Sequence, residues 1–176
     1  MIVFAVLAVA FLIALVVPSR QGRRPTRDAG RLAMAVAMVF AGVSHFATPE
    51  PFVQHLPEFF PYREAVIYAT GVLEVLFGIG LVGPRRHRPV VVIALVAYLV
   101  AIFPANIYVA VAGIPIEGFG QYQQFLNGYA RLPFQAVYIA WELWSTPGAL
   151  IVGRELRHRA RRRVGADGSR QERVVG

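Results

Sequence analysis

Apolar residues run through the chain in five long blocks, roughly 1–18, 31–48, 64–83, 89–112 and 132–152, separated by short polar breaks rich in Pro, Gly and Arg. Each block approaches the ~20 residues that cross a hydrocarbon core of about 30 Å at ~1.5 Å per residue, so each is a candidate spanning helix. The breaks are 19–31, 48–63, 83–89, 113–131 and everything from Arg154 onward. In the outer part of the pattern, PEPFVQHLPEFFP interleaves Phe52, Val53, Leu56, Phe59 and Phe60 with polar groups and prolines. Prolines at that density rule out one long helix, so the spacing predicts an amphipathic turn or two lying in the membrane interface and capping the bundle. The break holding Tyr122, Phe125 and Tyr129 reads the same way.

Composition agrees with the pattern. Of 176 residues, 56% are hydrophobic and only 16% charged, against roughly 45–50% and about 25% in soluble domains. Disorder and a water-soluble barrel are excluded. Cysteine is absent, which removes disulfides, thiol redox chemistry and thiolate metal sites from anything the chain does unaided. The net charge of +8 does not imply nucleic acid, because its distribution has a simpler cause. Arg20, Arg23, Arg24, Arg27 and Arg31 crowd the first break, Arg85, Arg86 and Arg88 the third, and eight arginines from Arg154 to Arg173 the tail, while the second and fourth breaks hold one each. The positive-inside rule therefore places the N-terminus outside, the C-terminus in the cytoplasm and five spans between them. The first block lacks the basic start and small-residue cleavage site of a signal peptide, so it reads as a retained span. The tail is expected to lie on anionic lipid and then to fray.

Polar residues inside the blocks carry the candidate chemistry, because an ionisable group in a span costs ~2.5–3.5 kcal/mol on insertion scales. His45 stands above Gly42, Ala41 and Ala37 at the head of a small-residue stripe suited to close helix packing. Met38 and Met34 follow on that face as flexible core filling. Glu74 lies about ten residues from either end of its block and shares a face with Thr70, Gly71 and Gly78. Phe103-Pro104-Ala105-Asn106 interrupts the fourth block, where a proline frees an upstream carbonyl and a broken helix would offer backbone acceptors to a ligand or water. In the fifth block Arg131, Gln135, Tyr138, Glu142 and Ser145 form one polar stripe at helical spacing. With Trp141 and Trp144 beside Glu142, core packing is the simpler role for both indoles.

Taken together, His45, Asn106, Arg131 and Gln135 fall toward the outer leaflet, and Glu74 and Glu142 toward midplane. Two readings stand. The groups are structural glue between helices, or they form a ligand or proton site in which Glu74 and Glu142 share or relay a proton and His45 and Arg131 make the outer mouth. His55, His87 and His158 form no metal-binding spacing, and no nucleotide, zinc or nucleophile motif is present.

The segments GVSHFATPEPFVQHLPEFFP (42–61), TGVLEVLFGIGLVGP (70–84), FPANIYVA (103–110) and RLPFQAVYIAW (131–141) resemble, in order, the DoxX-like family of small integral membrane proteins. The resemblance covers roughly residues 31–145, and its family-like positions are His45, Pro57, Gly71, Glu74, Pro104, Asn106, Arg131 and Gln135. It implies an all-α, multi-pass transmembrane bundle with a four-helix core over 31–152, outer loops at 48–63 and 113–131, and an extra N-terminal span at 1–18. A cytoplasmic Arg-rich loop at 19–30 and a partly disordered basic cytoplasmic tail at 153–176 complete the expected organisation. Members of that family include a subunit associated with thiosulfate:quinone oxidoreduction, a membrane partner in thiol-oxidant defence and, more distantly, a receptor-assembly chaperone, so membership fixes no reaction. The expectation is a bacterial inner-membrane accessory or anchor subunit without activity of its own. It would bind a small lipophilic ligand of the quinone type through His45, Glu74, Asn106, Arg131, Gln135, Tyr138 and Glu142, and support a redox or stress-response partner. A quinone-reducing subunit, an assembly chaperone and a permease are the competing readings.

Overall fold

A computed structural model describes residues 2–18, 25–112, 129 and 131–149, and among them all regular structure is helical. In chain order the helices are α1 (Ile2–Val16), α2 (Thr26–Ala47), the single turn α3 (Glu50–Val53), α4 (Arg63–Val82), α5 (Arg88–Ala112) and α6 (Arg131–Ser145). Three of them, α2, α4 and α5, are long and apolar enough to cross a membrane. α1 and α6 each have 15 residues, about 22 Å of helix. The basic tail, the break at 113–128 and residues 19–24 lie outside the described residues, as do the expectations placed on them.

Four helices close a ring in which α2 packs on α4, α4 on α5, α5 on α6 and α6 back on α2. The α2–α4 contact is made by missing side chains. A Cβ on Gly42 would come within 2.5 Å of the Gly71 carbonyl oxygen, and one on Gly78 within 2.7 Å of the Ala35 carbonyl oxygen. Pairing Gly42 with Gly71 and Ala35 with Gly78 fixes α2 and α4 as antiparallel, backbone against backbone, which is how helices gain packing energy where the hydrophobic effect does not drive them together. α4 then turns over Gly83 and Pro84, with Arg88 Nε donating to the Gly83 carbonyl at 2.9 Å. α4 is inverted relative to a soluble helix: Gly71, Glu74 and Gly78 are inside while Val72, Leu76 and Ile79 face out. That arrangement suits a lipid surround and no aqueous one.

Two boundaries differ from the apolar blocks. α2 starts at Thr26, inside the stretch read as loop, because Asp28 at its first turn pairs with Arg31 at 2.6 Å and an acid there suits the helix N-terminus. α6 stops at Ser145 rather than running to 152. Pro147 explains the break, since the residue before a proline is pushed out of helical geometry. α1 is not peripheral. Leu7 is fully buried in the core with Met34, Leu81 and Leu95, Phe4 meets Phe134, and Phe11 meets Trp141 edge-on at 4.9 Å.

Candidate functional site

The ring of helices encloses a cavity of about 640 Å³, within the range of small-molecule sites. Most of its wall is apolar, from Met38, Ala41, Ile67, Leu99, Ile102 and Phe134 on the helices. Residues after α3 fold over one end. Phe52 of α3 and, after it, His55, Leu56, Phe59 and Phe60 line the cavity from that side. Phe52 stands edge-on to the His45 ring at 4.1 Å, and His55 Nδ1 lies 2.6 Å from the Pro51 carbonyl oxygen.

The polar part of the wall comes from three helices at one level. Antiparallel packing puts His45 of α2 opposite Thr70 and Glu74 of α4, and the short turn after α4 brings Tyr98 of α5 to the same height. Tyr98 Oη donates to Glu74 Oε1 at 2.8 Å. Thr70 Oγ1 donates to the Ile67 carbonyl at 2.8 Å and lies 3.4 Å from His45 Nδ1. Glu74 Oε2 stands 3.7 Å from His45 Nδ1, and it is buried without a hydrogen-bond partner among the described residues. Tyr98, set in the apolar run VVVIALVAYLVAIF, was absent from the sequence-derived set although it touches Glu74 directly. Its only signal was a hydroxyl in a lipid-depth block, where a tyrosine usually finds a partner.

Asn106 and Gln135 also line the cavity, but their amides are committed to each other. Asn106 Nδ2 donates to Gln135 Oε1 at 2.7 Å, and Gln135 Nε2 donates to the Leu99 carbonyl. α5 is continuous through Pro104, so the anticipated broken helix is not there. The proline loosens the ladder one turn upstream, and a glutamine from α6, rather than a ligand, takes up a carbonyl beside the gap. Tyr138 is half-buried in the wall. Arg131 opens α6, and its side chain lies outside the described residues.

Glu142 is not part of this site. It is fully buried, away from the cavity lining, with neither carboxyl oxygen hydrogen-bonded among the described residues. Trp141 beside it donates to the Gly30 carbonyl at 2.9 Å, and Arg31 is close enough to act on the Glu142 carboxyl electrostatically. The register that sets Gly78 against Ala35 and Gly71 against Gly42 puts Glu74 near mid-helix, nearer the His45 end of α2, whereas Glu142 lies toward Arg31, so the two carboxyls sit at different depths. The expected common depth came from centring Glu142 in a block running to 152, whereas Pro147 makes it the last turn of α6. A buried carboxyl without partners costs stability, so Glu142→Met is expected to raise the unfolding free energy by about 1–3 kcal/mol, read by detergent titration of the purified protein.

Fold and site together define a class: a helical membrane protein whose small-residue helix contacts frame an apolar cavity with a polar end. Within it, the chain belongs to the family described as Domain of unknown function (DUF8561), whose model matches residues 34–146. That stretch contains the cavity's polar residues and all of α4 and α5. No curated protein and no solved structure matches the chain.

Proposed function

We propose that the chain is a multi-pass protein of the bacterial inner membrane that binds a small lipophilic molecule with a polar ring headgroup, of the quinone class. In this proposal α1 and α6 cross the membrane as well, the N-terminus is outside and the C-terminus cytoplasmic. The ring of α2, α4, α5 and α6 is the DoxX-like four-helix core, with α1 added to it. The observation that supports the reading best is the apolar cavity that ends on His45, Thr70, Glu74 and Tyr98, where one carboxyl oxygen has no partner among the described residues. An orphaned acid at the end of an apolar cavity provides one directional contact, and the walls supply the rest of the affinity. The chain contributes binding and orientation, and with no cysteine it leaves electron transfer to a partner enzyme. The protein then serves as an accessory or anchor subunit in a redox or stress-response complex.

The test uses the full chain in lipid nanodiscs with a photoreactive short-chain benzoquinone and its hydroquinone. Crosslinks should fall on the peptides around Phe52 and Ile102, and Ile102→Trp, which fills the cavity, should weaken binding at least tenfold at unchanged thermal stability. Crosslinks confined to lipid-facing residues overturn the reading. Quinone turnover by the chain alone would favour the oxidoreductase-subunit alternative over the accessory role.

A further inference from the structure

The hydrogen-bond accounting of the polar end goes further and selects the kind of headgroup. Thr70 has one hydroxyl proton, and it goes to the Ile67 carbonyl at 2.8 Å. With that proton spent, Thr70 Oγ1 accepts from His45 Nδ1, 3.4 Å away, in the tautomer that carries the imidazole proton on Nδ1 and leaves Nε2 a lone-pair acceptor. Tyr98 likewise spends its single proton on Glu74 Oε1. Because Nδ1 carries a proton, it cannot accept from Glu74, and at 3.7 Å it is beyond hydrogen-bond reach of Oε2 as a donor. Oε2 is left over whether Glu74 is ionised or protonated.

We propose that the cavity is built for an aromatic hydroxyl, a phenol or the hydroquinone form of a quinone, and discriminates against carbonyl and ether headgroups of the same shape. This rests on the ligand-binding reading above. A hydroxyl both donates and accepts: it donates to Glu74 Oε2 when the carboxyl is ionised, or accepts from it when the carboxyl is protonated and then donates its own proton to His45 Nε2. A carbonyl or ether only accepts. It matches a protonated Glu74 alone and leaves the histidine acceptor unmet, and a site built to bond a hydroxyl rejects the analogue without one far more strongly than it rejects a change of bulk. The ring is favoured because His45, Phe52, Tyr98 and Phe134 present flat faces and edges around the space the headgroup would occupy.

The experiment compares a 4-alkylphenol with its methyl ether, and a short-chain hydroquinone with its quinone under anaerobic conditions. All are titrated into the full chain in nanodiscs and referred to the free concentration in the lipid. The phenol should bind at least tenfold tighter than the ether, and the hydroquinone at least tenfold tighter than the quinone. In Glu74→Leu both ratios should collapse toward one. If that variant does not fold, the ligand series on the wild-type protein decides alone. An ether or quinone that binds as tightly as its hydroxyl partner overturns the headgroup inference and leaves the ligand-binding reading standing. Binding of none of the four overturns both.

Discussion

Gly42→Val should be the most damaging single substitution in the protein, lowering the unfolding free energy by about 3 kcal/mol or more. The new Cβ would sit 2.5 Å from the Gly71 carbonyl oxygen and 2.8 Å from Val75 Cγ2, and the obstructing atom is backbone, which no rotamer change can clear. The two helices must move apart, and because His45 is one turn along α2 from Gly42, the register of His45 against Glu74 goes with them. Loss of ligand binding and loss of stability should therefore appear together. Gly148→Ala is the matched control: among the described residues its Cβ would meet only Pro89 Cγ at 3.8 Å, and its effect should stay within about 0.5 kcal/mol. Chemical unfolding in mild detergent measures both. Equal effects at the two glycines would show that the α2–α4 contact is not the close backbone seam described here.

The second large effect is expected at Gln135. Gln135→Ala removes both amide contacts of a side chain that is only 4% exposed, leaving Asn106 Nδ2 unpaired and the Leu99 carbonyl without its side-chain donor beside a new void. Unpaired buried groups and lost packing together cost about 2–4 kcal/mol. Because this amide bridges α6 to two points on α5 that flank Pro104, the variant should also increase hydrogen exchange in α5 around the proline more than in α2. Gln135→Glu makes the distinction sharper. It keeps an acceptor for Asn106 but loses the donor to Leu99, so exchange should rise upstream of Pro104 while the Asn106 contact persists. Uniform loosening of all helices in either variant would show that Gln135 is filler and not a clamp.

How far the sequence could be read depended on which physical signal each residue carried. α4 and α5 were legible because their apolar blocks are bounded by Arg, Pro and Gly, and the stripe Ala37, Ala41, Gly42, His45 correctly pointed to a close helix contact. Glu74 was legible as inward-facing because lipid is too costly for it. Its partner Tyr98 was not, since a tyrosine in an apolar run differs from a phenylalanine by one atom and only the fold shows what that atom meets. Pro147 lies within the fifth apolar block, where hydropathy does not register it, and that one residue sets the depth of Glu142. Asn106 and Gln135 looked like ligand groups for the same reason they look like glue. Only their mutual geometry decides, and it gives them to each other.

The aromatic turns above the cavity have one more consequence. Phe59 and Tyr62 are 85% and 84% exposed, and rings of that kind settle among lipid headgroups rather than in bulk water. The neighbouring Phe60 lines the cavity, so in the proposed function the cover over the cavity would itself be anchored to the bilayer surface. In the proposed function, guests would be delivered by lateral diffusion from a pool in which lipophiles are already concentrated by partitioning, and occupancy would depend on mole fraction in the leaflet. A site supplied in this way stays filled with a modest intrinsic affinity and can release its guest quickly, a useful property for a protein that hands a molecule to a neighbour.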